Sequence, residues 1–382
     1  MRGHGGIAPQ GPSGQRLDFS QAPLLVFWET TRACLLACRH CRAEAIPHPL
    51  PGQLSHDEGL RLIEAVRSFG DRPPILVFTG GDLLMRDRVH ELLRYAHDLG
   101  LVVAASPSVT SLLTREALNR LRDAGASSLS ISLDGLRETH DYIRGAPGCW
   151  DRTLEAIRAA LATGLHVQVN TCVMQQNYRE LPEVFSIIRR MGVPVWEVFY
   201  LVKTGRATSL DELDPDTCEQ VTHFLYDASM YGVRVRTVEA PFFRRVAIQR
   251  SGGMPPPRGP VYEELTARLT RLCGGPTTEP QVQLTPTRDG NGIVFVAHDG
   301  TITPGGFLPL GRGNVRVDSL VDVYRNDELF RALRRPEGFR GRCGACEFRE
   351  ICGGSRARAY AASGDPLGED PACPYTPPSW TR

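Results

Sequence analysis

The sequence predicts an α/β fold: an open, partial (β/α)6 TIM-like barrel followed by a small, cysteine-rich C-terminal domain. Three observations lead there. From Leu24 to about Glu239, short β-branched or aromatic runs alternate with stretches of helical period. The helical stretches stop at Gly70, Gly100, Gly125, Gly164, Gly192 and Gly232, each just before a new apolar run, as helix-closing glycines do. Seven of the 11 cysteines fall in two tight groups, one after the first apolar run and one near the C-terminus.

The opening MRGHGGIAPQGPSGQR is rich in Gly, Pro and Gln with little to bury, so residues 1–20 read as a flexible tail. Candidate strands follow at Leu24 to Glu29, Ile75 to Thr79, Leu101 to Ser106, Ser127 to Leu133, His166 to Val173 and Val195 to Leu201. Ser55 and Glu58 form a capping box ahead of Leu60, Leu62, Ile63 and Val66. Six strands are too few to close an eight-stranded barrel, and Val233 to Val238 is a candidate extension. The barrel therefore spans 21–240. Residues 241–288, interrupted by SGGMPPPRGP, read as a linker or insertion. Within it, Phe242, Phe243, Arg244 and Arg245 suit either a packed helix or a grip on carboxylates. Residues 289–378 form the last domain, with a hairpin over Ile293 to Thr303 turning at Asp299-Gly300. Leu320, Val323, Tyr324, Leu329, Phe330 and Leu333 there mark one amphipathic helix.

The 44 Lys+Arg against 43 Asp+Glu give a formal charge of +1, which provides no global attraction for nucleic acid or a membrane surface. No apolar run approaches the roughly eighteen residues of a bilayer span, and the opening lacks the apolar core of a secretory signal. A cytoplasmic protein is expected. In a reducing compartment, tight thiol groups point to metal or cluster ligands more than to disulfides. Cys149, Cys172, Cys218 and Cys273 stand alone and read as core filling.

The stretch FWETTRACLLACRHC places Cys34, Cys38 and Cys41 in the spacing C-x3-C-x2-C directly after the first strand. Three thiolates leave one iron of a [4Fe–4S] cubane open to a small molecule, whereas four would saturate it. The alternative is a structural zinc knot completed by His40 or His48, each poorly placed as a fourth ligand.

On these residues the chain resembles the radical S-adenosylmethionine (radical SAM) superfamily. The resemblance implies that the open iron chelates S-adenosylmethionine and that the reduced cluster cleaves it to a 5′-deoxyadenosyl radical, which abstracts a substrate hydrogen. It places His40 where a planar ring packs against adenine. Thr79-Gly80-Gly81-Asp82-Leu83 is similar to the Gly-Gly-Glu-Pro segment that holds the cofactor's amino group, with Asp for Glu and Leu for Pro. In SISLDGLRETHDYIRG it implies that Ser132 and Arg144 contact the ribose and carboxylate, while Asp134 shapes the strand end. Asn170 and Arg206, the latter in KTGRA, are further expected contacts, with a solvated loop or a structural hydrogen bond as the alternative for each.

The second group, RCGACEFREICGG with EDPACPY, gives Cys343, Cys346, Cys352 and Cys373 in the pattern C-x2-C-x5-C-x20-C. Residue type alone fits either a closed [4Fe–4S] cluster or tetrahedral zinc. The spacing looks like the outer auxiliary-cluster segment of SPASM domains. Fuller versions hold a second auxiliary cluster, whose cysteines are replaced here by Gly353, Gly354 and Ser355 and by TPGGFLP; Cys273 is at most a remnant. GFLPLGRGNVR, VYRNDELF and CGGSRARAYA resemble a branch related to haem-b-forming decarboxylases, peptide maturases and tungsten-cofactor-associated maturases. The resemblance implies a radical SAM oxidoreductase or maturase acting on a peptide or a small, tetrapyrrole-like molecule, with a ferredoxin or flavodoxin as low-potential donor. A haem-type oxidative decarboxylase is one specific version. A non-catalytic iron–sulfur or zinc protein, carrying electrons or binding a partner, is the reading from another class.

Overall fold

Parallel strands carry the fold. In the computed structural model, which describes residues 18–380, β1 (Leu25–Glu29), β2 (Ile75–Thr79), β3 (Val103–Ala105), β4 (Ala126–Ser132), β5 (His166–Val173), β6 (Val195–Tyr200) and β7 (Arg234–Val238) pair in sequence order, each parallel to the next. The stretch 1–17, most of the expected tail, lies outside the described residues. Of the expected tail, residues 18–20 are described: Phe19 is buried, and its carbonyl accepts a hydrogen bond from the Tyr324 hydroxyl at 2.7 Å.

Along β4 and β5 the side chains alternate as the sheet pleat requires. Leu129, Ile131, Val167 and Val169 are buried against the helices, whereas Ser130, Ser132, Gln168 and Asn170 stay half-buried on the inner face. Helices α1 (His56–Arg67), α2 (Val89–Asp98), α3 (Arg115–Asp123), α4 (Arg137–Arg144), α5 (Cys149–Ala162), α6 (Leu181–Arg190) and α7 (Pro215–Ala228) fill the crossovers. The capping box at Ser55 and Glu58 forms as read. Gly59 of α1 lies against the Trp28 indole, where a Cβ would sit 2.7 Å from the ring, so a fully buried tryptophan fits under the helix.

Beyond β7 the chain departs from a plain linker. Residues 241–288 carry α8 (Phe242–Ser251) and α9 (Pro260–Cys273), with Phe242 and Phe243 buried in the main core. After the short β8 (Arg288–Asp289), the expected hairpin is present as β9 (Gly292–Val296) and β10 (Thr301–Thr303). Its first strand pairs parallel with β1, Leu25 opposite Ile293, so the sheet runs through the position expected as a domain boundary. β11 (Gly313–Asn314) adds the outermost rung, and the edges at β7 and β11 remain apart, leaving the barrel open.

The single amphipathic helix expected over residues 320–333 is two, α10 (Leu320–Asn326) and α11 (Glu328–Leu333). Asp327, extended at φ −59 and ψ 137, breaks the run, and its carboxylate caps the backbone N–H groups of Leu329 and Phe330. α12 (Gly341–Ala345) and α13 (Arg356–Ser363) frame the second cysteine group. No helix among the described residues is long and apolar enough to cross a membrane.

Candidate functional site

The loop after β1 brings the first three cysteines together at the C-terminal end of the strands. Cys34 packs with Leu36, Ala45 and Cys149, and Cys38, Cys41 and Ala146 close over this cluster. Cys149, read as core filling, is thus a neighbour of the loop. Burial pushes the Cys38 thiol up to about 11, against the pull of Arg144.

Two partners fix the loop's backbone. The N–H groups of Gly81 and Asp82 donate to the carbonyls of Thr31 and Ala33, both at 2.7 Å. A Cβ on Gly80 would sit 2.5 Å from the Thr31 oxygen, and one on Gly81 2.4 Å from the Ala33 oxygen, so both glycines are required by this close approach. From the other side, Arg206 Nε donates to the Cys38 carbonyl and its Nη1 to the Ala45 carbonyl, each at 2.9 Å. Arg206 thus holds the loop through two backbone carbonyls, while its Nη2 is buried without a hydrogen-bond partner.

Asp82 is fully buried. Its carboxylate accepts from Thr110 Oγ1 at 2.7 Å and from the Leu84 N–H at 3.1 Å; burial raises its pKa and these bonds oppose the rise. Ser108, from the same segment as Thr110, donates to the Gly81 carbonyl at 2.7 Å and lies 3.6 Å from the Cys34 sulfur. Sequence reading missed Ser108 and Thr110, although their place in SPSVT just past the third strand was a usable signal.

Asp134 organises the far wall. Its carboxylate pairs with Arg144 at 2.6 Å, lies 3.8 Å from His40 Nε2 and accepts from the Cys172 N–H at 2.8 Å. Burial works against this charge, but Arg144 and His40 outweigh it and hold the carboxyl below its usual range. Arg144 also places Nη1 3.8 Å from the Cys38 sulfur, so the expected cofactor contact stands between a carboxylate and a thiol. Burial lowers His40 to about 4, with Asp134 opposing, and the ring is neutral at physiological pH. The Asp134 N–H donates to His140 Nδ1 at 3.0 Å, which leaves Nε2 protonated toward Thr153 Oγ1 at 3.2 Å.

Ser132 lies on the inner face opposite Asn170 in register. Asn170 Oδ1 accepts from Gln168 at 2.7 Å, and the same Gln168 nitrogen donates to Glu197 at 2.6 Å, which extends a polar ladder down the barrel wall. On the opposite side, buried Glu29 meets Arg42 Nη1 at 3.3 Å and His298 Nδ1 at 3.3 Å. The Arg42 guanidinium lies 4.4 Å over the Phe295 ring and 6.0 Å from Phe307, whose ring centre is 6.4 Å from that of Phe199.

The second group also converges. Cys343, Cys346, Cys352 and Cys373 line one small pocket together with Arg245, Arg342, Gly353, Gly354 and Asp370. Burial raises Cys352 and Cys373 to about 12. Arg245 Nη2 lies 3.9 Å from the Cys373 sulfur and pairs with Glu219, and its guanidinium stands 4.8 Å over Tyr375. Arg244 donates to the carbonyls of Thr287 and Ile351, so this stretch is a packed helix rather than an open grip on a ligand. Buried Arg358 ties the centre to the barrel mouth, reaching Asp370 at 3.3 Å, the Leu201 carbonyl at 3.0 Å and the Glu239 carbonyl at 2.8 Å. Among the described residues, no three His, Cys, Asp or Glu side chains close on a single-ion site.

Residues 28–188 match the description "Radical SAM superfamily". The chain is 37% identical over 364 residues to the AdoMet-dependent heme synthase of Oleidesulfovibrio alaskensis, covering 94% of this chain and 89% of that one. It is 29% identical to a mycofactocin maturase of Mycobacterium tuberculosis, over 92% of this chain and 83% of the relative. In fold it is similar to Streptococcus suis SuiB bound to S-adenosylmethionine, with a TM-score of 0.66 at 15% identity, covering 93% of this chain and 78% of that one.

Proposed function

This chain belongs to the radical SAM superfamily, and from that premise we propose that it is an oxidative decarboxylase of the haem-forming type, acting on carboxylate side chains of an iron tetrapyrrole. Membership brings a [4Fe–4S] cluster and S-adenosylmethionine, which together supply, when bound and reduced, a 5′-deoxyadenosyl radical able to abstract a substrate hydrogen atom.

Cys34, Cys38 and Cys41 would hold that cluster: three soft donors on one loop, packed together and fixed from both sides by Gly81 and Arg206. Gly80, Asp82, Ser132, Arg144, His40 and Asn170 border the same end of the barrel and would shape the cofactor's bed. Cys343, Cys346, Cys352 and Cys373 would hold a second, closed [4Fe–4S] centre in their shared cavity.

The observation that carries the substrate reading is the end-to-end likeness to a haem synthase at 37% identity, against 29% for a maturase. The inner wall is consistent with it. Phe295 and Phe307 beside the Arg42 guanidinium, with Phe199 next to Phe307, suit a flat apolar macrocycle edged by carboxylates. Loss of a hydrogen atom from the carbon β to a propionate carboxyl leaves a radical that yields an alkene, carbon dioxide and one electron. A one-electron acceptor must take up that electron, and a ferredoxin- or flavodoxin-class donor must supply the one that cleaves S-adenosylmethionine.

The test uses anaerobically reconstituted protein with dithionite, S-adenosylmethionine and an iron porphyrin bearing propionates. The expected outcome is 5′-deoxyadenosine together with a porphyrin lighter by carbon dioxide and two hydrogens per side chain. No 5′-deoxyadenosine from a protein with its iron intact sinks the enzymatic reading. Radical formation with an unchanged porphyrin, but with modification of a precursor peptide, sinks the decarboxylase reading alone.

A further inference from the structure

Around the second cysteine group three buried guanidinium N–H groups lack a hydrogen-bond partner. Arg245 spends its Nη atoms on Glu219 and Gln249, and its Nε is buried without a hydrogen-bond partner. The same is true of Nε of Arg288 and Nη2 of Arg356. Buried N–H groups that lack an acceptor are rare and costly in folded proteins, the more so when charged. Three of them cluster about four converging thiols.

The backbone makes room for this approach. A Cβ on Gly354 would lie 2.6 Å from Arg356 Nη2 and 2.8 Å from the Cys343 sulfur, and one on Gly353 would lie 3.2 Å from Arg288 Nε. Both glycines have φ near +70°, and together with this crowding they exclude side chains where guanidinium meets thiol. Arg244 and Arg288 also donate to the carbonyls of Ile351 and Glu350, just ahead of Cys352, which fixes their heads near the cavity.

We propose that Arg245, Arg288 and Arg356 raise the redox potential of the auxiliary [4Fe–4S] centre. This rests on the reading that Cys343, Cys346, Cys352 and Cys373 hold iron and sulfide rather than zinc. Reduction adds one electron to the centre and one negative charge to the cavity, with no bond made or broken and no proton taken from arginine. Buried cations and N–H donors stabilise that added charge more than they stabilise the oxidised form, so the potential rises. Glu219, hydrogen-bonded to Arg245, works in the opposite direction by neutralising part of the shell.

The experiment is a potentiometric titration, followed by electron paramagnetic resonance, of the full chain carrying Cys34→Ala, Cys38→Ala and Cys41→Ala, so that only the auxiliary centre reports. Arg245→Gln is expected to shift the midpoint to lower potential and Glu219→Gln to shift it higher. Coincident midpoints, or the reverse order, overturn the proposal even with iron in place. If Arg245→Gln does not retain its iron, Glu219→Gln against the parent decides alone: a raised midpoint supports the arginine shell and an unchanged or lowered one refutes it. A parent that binds zinc and no iron overturns the cluster reading and the proposal with it.

Discussion

Arg206 and Cys38, 168 positions apart in sequence, meet at 2.9 Å, the guanidinium Nε donating to the cysteine carbonyl while Nη1 reaches Ala45. One side chain thus closes the cysteine loop across its width. Arg206→Met leaves two carbonyls without donors, at a cost of about 2–4 kcal/mol. Urea unfolding of the apo-protein should show this loss, and reconstitution should incorporate less iron at the first site. Arg206→Lys should not restore it, since one ammonium cannot span both acceptors as the planar fork does.

Gly81→Ala tests the opposite side of the loop. The added methyl would enter within 2.4 Å of the Ala33 carbonyl, which cannot yield without moving Cys34. Production of 5′-deoxyadenosine should fall at least tenfold, equivalent to about 1.4 kcal/mol or more. Iron at the auxiliary site should be unaffected; an unchanged rate would show that the loop tolerates displacement.

His140 predicts an acid-sensitive fold. Burial, then Arg144, lower its pKa to about 4, so the folded state keeps it neutral while an unfolded histidine protonates near 6.5. The stability it contributes is complete above about 6.5 and is lost as pH falls toward 4, at up to about 1.4 kcal/mol per pH unit. Protonation at Nδ1 would also break its bond from the Asp134 N–H. Unfolding midpoints of the apo-protein between pH 7 and 4.5 should fall more steeply for the parent than for His140→Gln. Parallel curves would remove His140 as the cause.

Arg42→Met separates binding from chemistry. If the guanidinium over Phe295 grips a substrate carboxylate, its loss should raise KM for the iron porphyrin about tenfold to a hundredfold, the range of a charge-assisted hydrogen bond. kcat should change less. An unchanged KM would place the carboxylate contact elsewhere.

What the sequence made legible was local. Cys34, Cys38 and Cys41 sit within one loop, Ser55 and Glu58 within one turn, and the strands within their own alternation, so spacing carried them. Glu29 and His298 are 269 positions apart, and Arg245 and Cys373 are 128 apart, so no periodicity announces either meeting. The split at Asp327 was different: an Asn-Asp pair inside the helical pattern is a local capping signal, outweighed in reading by the apolar period on both sides. The pairing of β9 with β1 was hidden because a parallel partner can come from anywhere in the chain.

That pairing orders the birth of the protein. During synthesis β1 emerges early, but its outer edge has no partner until β9 leaves the ribosome more than 260 residues later. An unpaired apolar edge is a template for wrong pairings, and long-range parallel pairing is slow to form. The nascent barrel therefore keeps that edge open until its C-terminal hairpin arrives. A truncated transcript ending before Gly292 should yield aggregates rather than a smaller, working barrel.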